Sequence, residues 1–152
     1  MTHAIKGLAS RGTVEEMILE PGEIHVTVVS PAGPVFQGVA SYLVVEGLMG
    51  QLAVAPKHAA MVAALGIGPL RVHHSKENAD RYAIRGGILT VAKNLTTVLV
   101  DEIIAPDAVD AEAAKKGLDE ALEGMRNPKS AEEFDDLLKQ RAWYQAQLAL
   151  VR

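Results

Sequence analysis

At Pro106 the spacing of apolar residues changes period, and that break constrains the fold more than any other feature of the chain. Before it, Ile24, Val26 and Val28 alternate with His25 and Thr27, the period of two that a half-buried strand requires. After it, Ala114, Leu118, Ala121, Leu122 and Met125 recur at helical spacing with charged residues between them, the signature of one apolar helix face. Strand-like and helix-like segments are segregated rather than alternating, which excludes a βαβ architecture. The pattern predicts a β-plus-α chain with an N-terminal antiparallel β-sandwich over residues 24–105 and a C-terminal antiparallel α-helical hairpin over residues 106–152. Residues 1–23 form an N-terminal extension of unassigned role, with a short helical turn expected after Thr13.

Within the first block, eight short strands are expected at residues 24–29, 35–36, 42–45, 51–54, 70–73, 81–84, 88–92 and 97–100. Ser30-Pro31-Ala32-Gly33-Pro34 is a turn-forming cluster that ends the first of them. Residues 57–65, alanine-rich and following Pro56, read as a short helical turn or a loop crossing the end of the sandwich. Gly86-Gly87 interrupts a strand pattern without a following helix start or Lys-Ser/Thr, so it reads as a bulge or a close backbone crossing rather than a phosphate cradle.

In the second block Asp107 is placed as the N-cap of the first helix, and Asn127-Pro128-Lys129 breaks it. Ser130 followed three residues later by Glu133 is a capping box that starts the second helix, whose apolar stripe runs through Phe134, Leu137, Leu138, Ala142 and Leu148. Much of the facing surface is alanine, which buries little area at ~25 cal/mol per Å². A weakly sealed hairpin has the property that a two-state element needs.

The chemistry available to the chain is thin. There is no cysteine, so disulfides, thiolate catalysis and sulfur-ligated zinc are excluded. Acidic residues outnumber basic ones, 19 to 15, leaving no basic footprint for nucleic acid. No run approaches the ~20 apolar residues of a membrane-spanning helix, so any membrane association is expected to be indirect. Glu15, Glu16 and Glu20 argue against an organellar transit peptide. His73 and His74 are adjacent in an expected strand, their rings on opposite faces, which suits a surface strand end better than a shared metal ion. His58 lies in a loop suited to a partner contact and has no carboxylate or hydroxyl fixed beside it by sequence. Trp143 and Tyr144 occupy adjacent helical positions about 100° apart, so one of them leaves the hairpin seam, either to meet a partner or to pack on the sandwich. No catalytic, metal or cofactor site is expected.

Taken in order, Val28-Val29-Ser30-Pro31, Val35-Phe36-Gln37-Gly38, Gly50-Gln51-Leu52-Ala53-Val54-Ala55-Pro56-Lys57-His58, Ile67-Gly68-Pro69-Leu70-Arg71, Gly86-Gly87-Ile88-Leu89-Thr90-Val91 and Thr97-Val98-Leu99-Val100-Asp101 form a recognisable series. The series resembles the epsilon subunit of rotary ATP synthases in its bacterial and chloroplast form, over roughly residues 24–150. The resemblance implies a non-catalytic central-stalk subunit at the cytoplasmic face of the bacterial inner membrane, peripheral and held there through the complex. Its implied partners are the gamma subunit, the c-ring and the catalytic alpha/beta hexamer, with the C-terminal helices restraining ATP hydrolysis. Gly50, Gln51, Leu52, Pro56 and His58 become candidate contacts to the c-ring or gamma, and Lys139, Arg141, Trp143 and Tyr144 candidate contacts to the hexamer or gamma. Two departures stand out. Gln51 replaces the glutamate of the usual Gly-Glu-Leu-Gly, and Ala113 replaces the arginine of a nucleotide motif of which Val109, Asp110, Ala113 and Ala114 are a remnant. The alternative reading is a free-standing β-sandwich module that binds a small ligand or protein through residues 47–58.

Overall fold

The computed structural model describes Leu19 and residues 21–152, so the helical turn expected after Thr13 lies outside the described residues. Seven strands form one hydrogen-bonded sheet: β1 (Ile24–Ser30), β2 (Gly33–Ala40), β3 (Tyr42–Gly47), β4 (Gly50–Val54), β5 (Met61–His73), β6 (Ala79–Ala92) and β7 (Leu95–Ile104). Their order across the sheet is β2-β1-β7-β6-β5-β3-β4. The core formed by Val26, Phe36, Val45, Val54, Leu70, Tyr82, Leu89 and Val98 draws side chains from every strand and from neither helix. A sheet whose inner face is dry without help from a helix has folded over on itself, which is the sandwich expected.

Three details differ from expectation. Among the described residues the strands number seven, because the runs on either side of Gly86-Gly87 are halves of the 14-residue β6. Residues 61–65, expected in a helical turn or loop, open β5, where Met61 to Leu65 pair with Val91 to Gly87. Their alanines and valine fit a half-exposed strand once a partner strand supplies the hydrogen bonds, and tertiary pairing outweighs local helix propensity here. Finally, the sheet is not wholly antiparallel. The first and last strands run parallel, His25 beside Leu95 through Val29 beside Leu99, because the chain makes a long crossover through β3 to β6 before returning.

The inward side of the pleat reverses partway along three neighbouring strands. In β5 the core residues change from Leu65 to Leu70 and Val72, in β6 from Tyr82 and Ile84 to Leu89 and Val91, and in β7 from Val98 and Val100 to Ile103. An alternation cannot change parity without a local break. The breaks lie level with one another, since Leu65 pairs with Gly87 and Gly87 with Val100. Gly86 and Gly87 have φ of 77° and 144°, outside the range comfortable for other residues. The β6–β7 pairing keeps its register there, so Gly86-Gly87 is a close backbone crossing and not a bulge. At this level a register shift sits instead in the pairing of β3 with β5, between Val45 and Gly47, and another lies between Val28 and Val29 in the pairing of β1 with β2.

Beyond β7, Pro106–Ala108 form a single 3₁₀ turn, then α1 (Ala111–Gly124) and α2 (Ala131–Leu150) pack antiparallel. The N-cap of α1 is Asp110, not Asp107: its carboxylate accepts from the Ala113 amide at 3.1 Å. Asp107 is taken into the 3₁₀ turn that Pro106 starts, which moves the helix start one turn along. Ser130 caps α2 as expected, accepting from the Glu133 amide at 3.0 Å. The Glu133 carboxylate reaches back one residue further than a standard capping box, to the Lys129 amide at 2.8 Å.

Candidate docking surfaces

Gly50, Gln51, Leu52, Pro56 and His58 are close in sequence, but β4 divides them. Gly50 pairs with Gly47 at one end of that strand, and Val54 pairs with Leu43 at the other. A five-residue strand is ~17 Å long at 3.4 Å per residue, so Pro56 and His58 serve a different end of the sandwich from Gly50 and Gln51.

The Gly50 end is a tight β3–β4 hairpin. Its two-residue turn is Leu48-Met49, with Leu48 69% and Met49 100% exposed, flanked by Gly47 and Gly50. Gly50 has φ of 123°, a turn geometry that favours glycine. Gln51 is exposed beside the tip, while Leu52 turns inward to pack against the core. Two large apolar side chains on a protruding turn lower the solubility of a free chain and are retained where something covers them. Leu48 and Met49 fall outside the motif series, although a Leu-Met pair between glycines is the sequence signal of such a tip.

At the other end, the loop after β4 is tied down by backbone contacts. The Lys57 amide donates to Asn94 Oδ1 at 2.6 Å and the His58 amide to the Ala55 carbonyl at 3.2 Å. His58 Nδ1 lies 2.8 Å from the Ala59 carbonyl oxygen. Asn94 belongs to the β6–β7 turn, where Lys93 and Asn94 both have positive φ, and its carbonyl accepts from the His25 amide at 2.8 Å. His58 is thus a held, half-buried residue in a loop tied to the β6–β7 turn, the strands of which share an outer face with β1 and β5. That face carries cross-strand neighbours Val29, Leu99, Ile88 and Ala64, with Val62 one step along, and Val62 is 74% exposed. Thr27, Thr97 and Thr90 continue it, so this stretch of the face is lined by apolar and hydroxyl side chains.

The adjacent histidines diverge: the His73 ring stacks on Tyr42 at 4.2 Å, whereas His74 Nε2 is 2.9 Å from Asp80 Oδ2. Asp80 also lies near Tyr82, whose phenol is pushed up to about 12, chiefly by burial and secondarily by that carboxylate. Among the described residues the hydroxyl has no hydrogen-bond partner, and Tyr82 lies beside the linker at Ala105 and Asp107.

On the hairpin, the two aromatics divide their work. Tyr144 points into the seam over Gly117, where a Cβ would lie 2.6 Å from ring atom Cε2. Trp143 is buried against Ala83 of β6 together with Leu150, with Ile67, Ile104, Val109 and part of Tyr144 around them. Of the two outcomes open to the residue leaving the seam, packing on the sandwich is the one realised in this arrangement. Lys139 is exposed and paired with Asp135 at 3.3 Å, and Arg141 is half-buried. The remnant nucleotide motif is structurally occupied: Asp110 caps, Val109 packs near Trp143, Ala114 is buried, and Ala113 is exposed with its amide used by the cap. Between α2 and the turning point of the sheet lies a groove of about 570 Å³, bordered by Ile67, Arg85, Asp101, Leu138, Lys139 and Ala142. The helix therefore meets the sheet along only part of its length.

Residues 23–106 match the family described as "ATP synthase, Delta/Epsilon chain, beta-sandwich domain". The chain is similar to the ATP synthase epsilon chain of Delftia acidovorans, 33% identical over 129 residues that cover 85% of this chain and 94% of that one. It is also similar to the epsilon chain of Laribacter hongkongensis, 38% identical over 104 residues covering 66% and 74% of the two chains. Among solved structures, a chain of the Euglena gracilis mitochondrial ATP synthase (OSCP/F1/c-ring) superposes with a TM-score of 0.75 at 20% identity, covering 87% of this chain and 83% of that one. A chain of the Tetrahymena thermophila mitochondrial ATP synthase central stalk and c-ring gives 0.63 at 15% identity, covering 85% and 96%. These two share the fold. With the matched family spanning more than half its length and a relative aligned almost from end to end, the chain belongs to the ATP synthase epsilon-chain family.

Proposed function

We propose that the chain is a non-catalytic central-stalk subunit that couples rotation of a c-ring to the catalytic alpha/beta hexamer and restrains ATP hydrolysis through its C-terminal helices. The observation that carries this reading is the separation of its two cores. The sandwich core contains no helical residue, and the patch joining α2 to the sheet is a second, small cluster around Ala83, Trp143 and Leu150. A platform whose core owes nothing to the arm stays folded when the arm leaves, the requirement for a rigid dock with a movable inhibitor.

The divided candidates fit two partners. The Leu48-Met49 tip, with Gly50 and Gln51 beside it, protrudes in the way that contact with a ring of c subunits requires. The outer face of β1, β7, β6 and β5, with the loop of Pro56 and His58 at its β6–β7 turn end, offers gamma a partly apolar surface. Gln51 makes the ring contact neutral, so apolar contact by Leu48 and Met49 carries it. Trp143 becomes available to gamma or the hexamer only after α2 leaves the sheet, Tyr144 only if the hairpin also opens, and Lys139 and Arg141 are carried with the helix. No helix among the described residues is long and apolar enough to cross a membrane, so the membrane association proposed is peripheral and through the complex, at the cytoplasmic face of a bacterial inner membrane.

The test is a synthase reconstituted with residues 106–152 deleted. Normal assembly with raised ATP hydrolysis is expected. Normal assembly with unchanged hydrolysis removes the gating role, and failure of the truncated chain to join gamma and the c-ring removes the platform role.

A further inference from the structure

Among the described residues, one hydrogen bond joins the sheet to α2: Arg81 of β6 donates from Nη2 to the carbonyl oxygen of Ala149, 3.0 Å away. The acceptor lies in the last turn of the helix, where carbonyls have no partner within the helix and carry its partial negative charge. That turn contains no basic residue of its own. The cation hydrogen-bonded to the end of α2 among the described residues is therefore supplied from the sandwich, 68 residues earlier in the chain, while Arg152 just beyond the helix makes no such bond. Two residues along β6, Ala83 is fully buried and leaves a shallow seat for Trp143 and Leu150.

We propose that Arg81 is the latch of the hairpin, a positioning residue that sets how often α2 leaves the sheet. This rests on the movable-arm reading above and adds the residue that controls it. Three observations make Arg81 the control point. The Arg81 side chain is exposed, so its bond can exchange with water without a buried intermediate. The remaining attachment is a small apolar patch that fixes no register by itself, because apolar contact is not directional. The guanidinium has directional donors and places the helix end where Trp143 meets Ala83. No ion pair among those between described residues crosses from the sheet to α2, so no second polar contact substitutes for it.

The chain has no cysteine, so a pair of introduced cysteines carries donor and acceptor dyes cleanly. Thr90 on the outer face of the sheet and Gln140 on α2 are both exposed and touch neither the latch nor the Trp143 seat. Single-molecule energy transfer in the full-length chain then reads the docked and undocked fractions. Arg81→Ala is expected to raise the ratio of undocked to docked molecules about five-fold or more, the effect of losing one hydrogen bond to a charged donor. Arg81→Lys, which keeps the charge near the helix end, is expected to recover part of the docked fraction. The melting of the sandwich, followed separately by exchange of its core amides, is expected to stay unchanged. An undocked ratio equal to that of the unsubstituted chain overturns the proposal, and so does a sandwich destabilised by Arg81→Ala. This outcome is separable from that of the truncation: a latch can fail while deletion of residues 106–152 still raises hydrolysis, and a working latch can be found in an arm that does not gate.

Discussion

Gly87 lies against the carbonyl oxygen of Leu99 so closely that a Cβ would overlap it, and the atom in the way is backbone, not a side chain that could swing aside. The pairing of β6 with β7 therefore depends on a missing side chain at the level where the pleat reverses. Gly87→Ala is expected to cost at least about 3 kcal/mol, from the collision combined with a φ of 144° that alanine adopts only under strain. Denaturant unfolding of the full chain checks it, and a loss under 1 kcal/mol contradicts the account.

Tyr82 makes stability fall in alkaline solution. Its phenol is pushed up to about 12 from an ordinary value of 10.0, so the folded state favours the protonated form. The stabilisation is complete below pH 10 and is lost as pH rises from 10 towards 12, by about 2–3 kcal/mol at most. Tyr82→Phe is expected to flatten that part of the curve. It should not lower stability at neutral pH, because it removes a buried hydroxyl that has no partner among the described residues.

The start of α2 depends on two reciprocal hydrogen bonds, Ser130 to the Glu133 amide and Glu133 to the Lys129 amide. Ser130→Ala is expected to cost about 1 kcal/mol. Hydrogen exchange of the first-turn amides of α2 should speed up roughly five-fold, with the sheet amides unaffected, because the turn opens locally.

Met49 is fully exposed, so its replacement by glutamate should change stability by less than about 0.5 kcal/mol. On the proposed reading the same change weakens retention of the chain on complexes containing the c-ring, measured by co-sedimentation with membranes. A variant that is retained normally moves the ring contact away from the tip.

The sequence by itself determined the class of fold and the site of its main division. The period of two before Pro106 and the helical period after it are local facts, because alternation and helical spacing are imposed by backbone geometry on each segment separately. Ser130 with Glu133 was legible as a cap for the same reason; at Gly86-Gly87 the sequence showed only that the backbone departs from an ordinary strand, as a bulge or a close crossing, and the unbroken register of β6 with β7 chose the crossing. Asp107 was misread because a 3₁₀ turn and the first turn of an α-helix begin with the same residues, and only packing chose between them.

What joins distant segments was decided by tertiary structure. The assignment of residues 61–65 to a strand needed the hydrogen bonds of β6, and the parallel pairing of β1 with β7 needed the whole crossover between them. The candidate contacts around Gly50 and His58 are neighbours in the chain, yet an extended strand carries them to opposite ends of the sandwich. The sequence required only that one of Trp143 and Tyr144 leave the hairpin seam. Which one, and whether it met solvent or the sheet, depended on Gly117 leaving room for one ring and Ala83 for the other, and neither residue is near the aromatics in the chain.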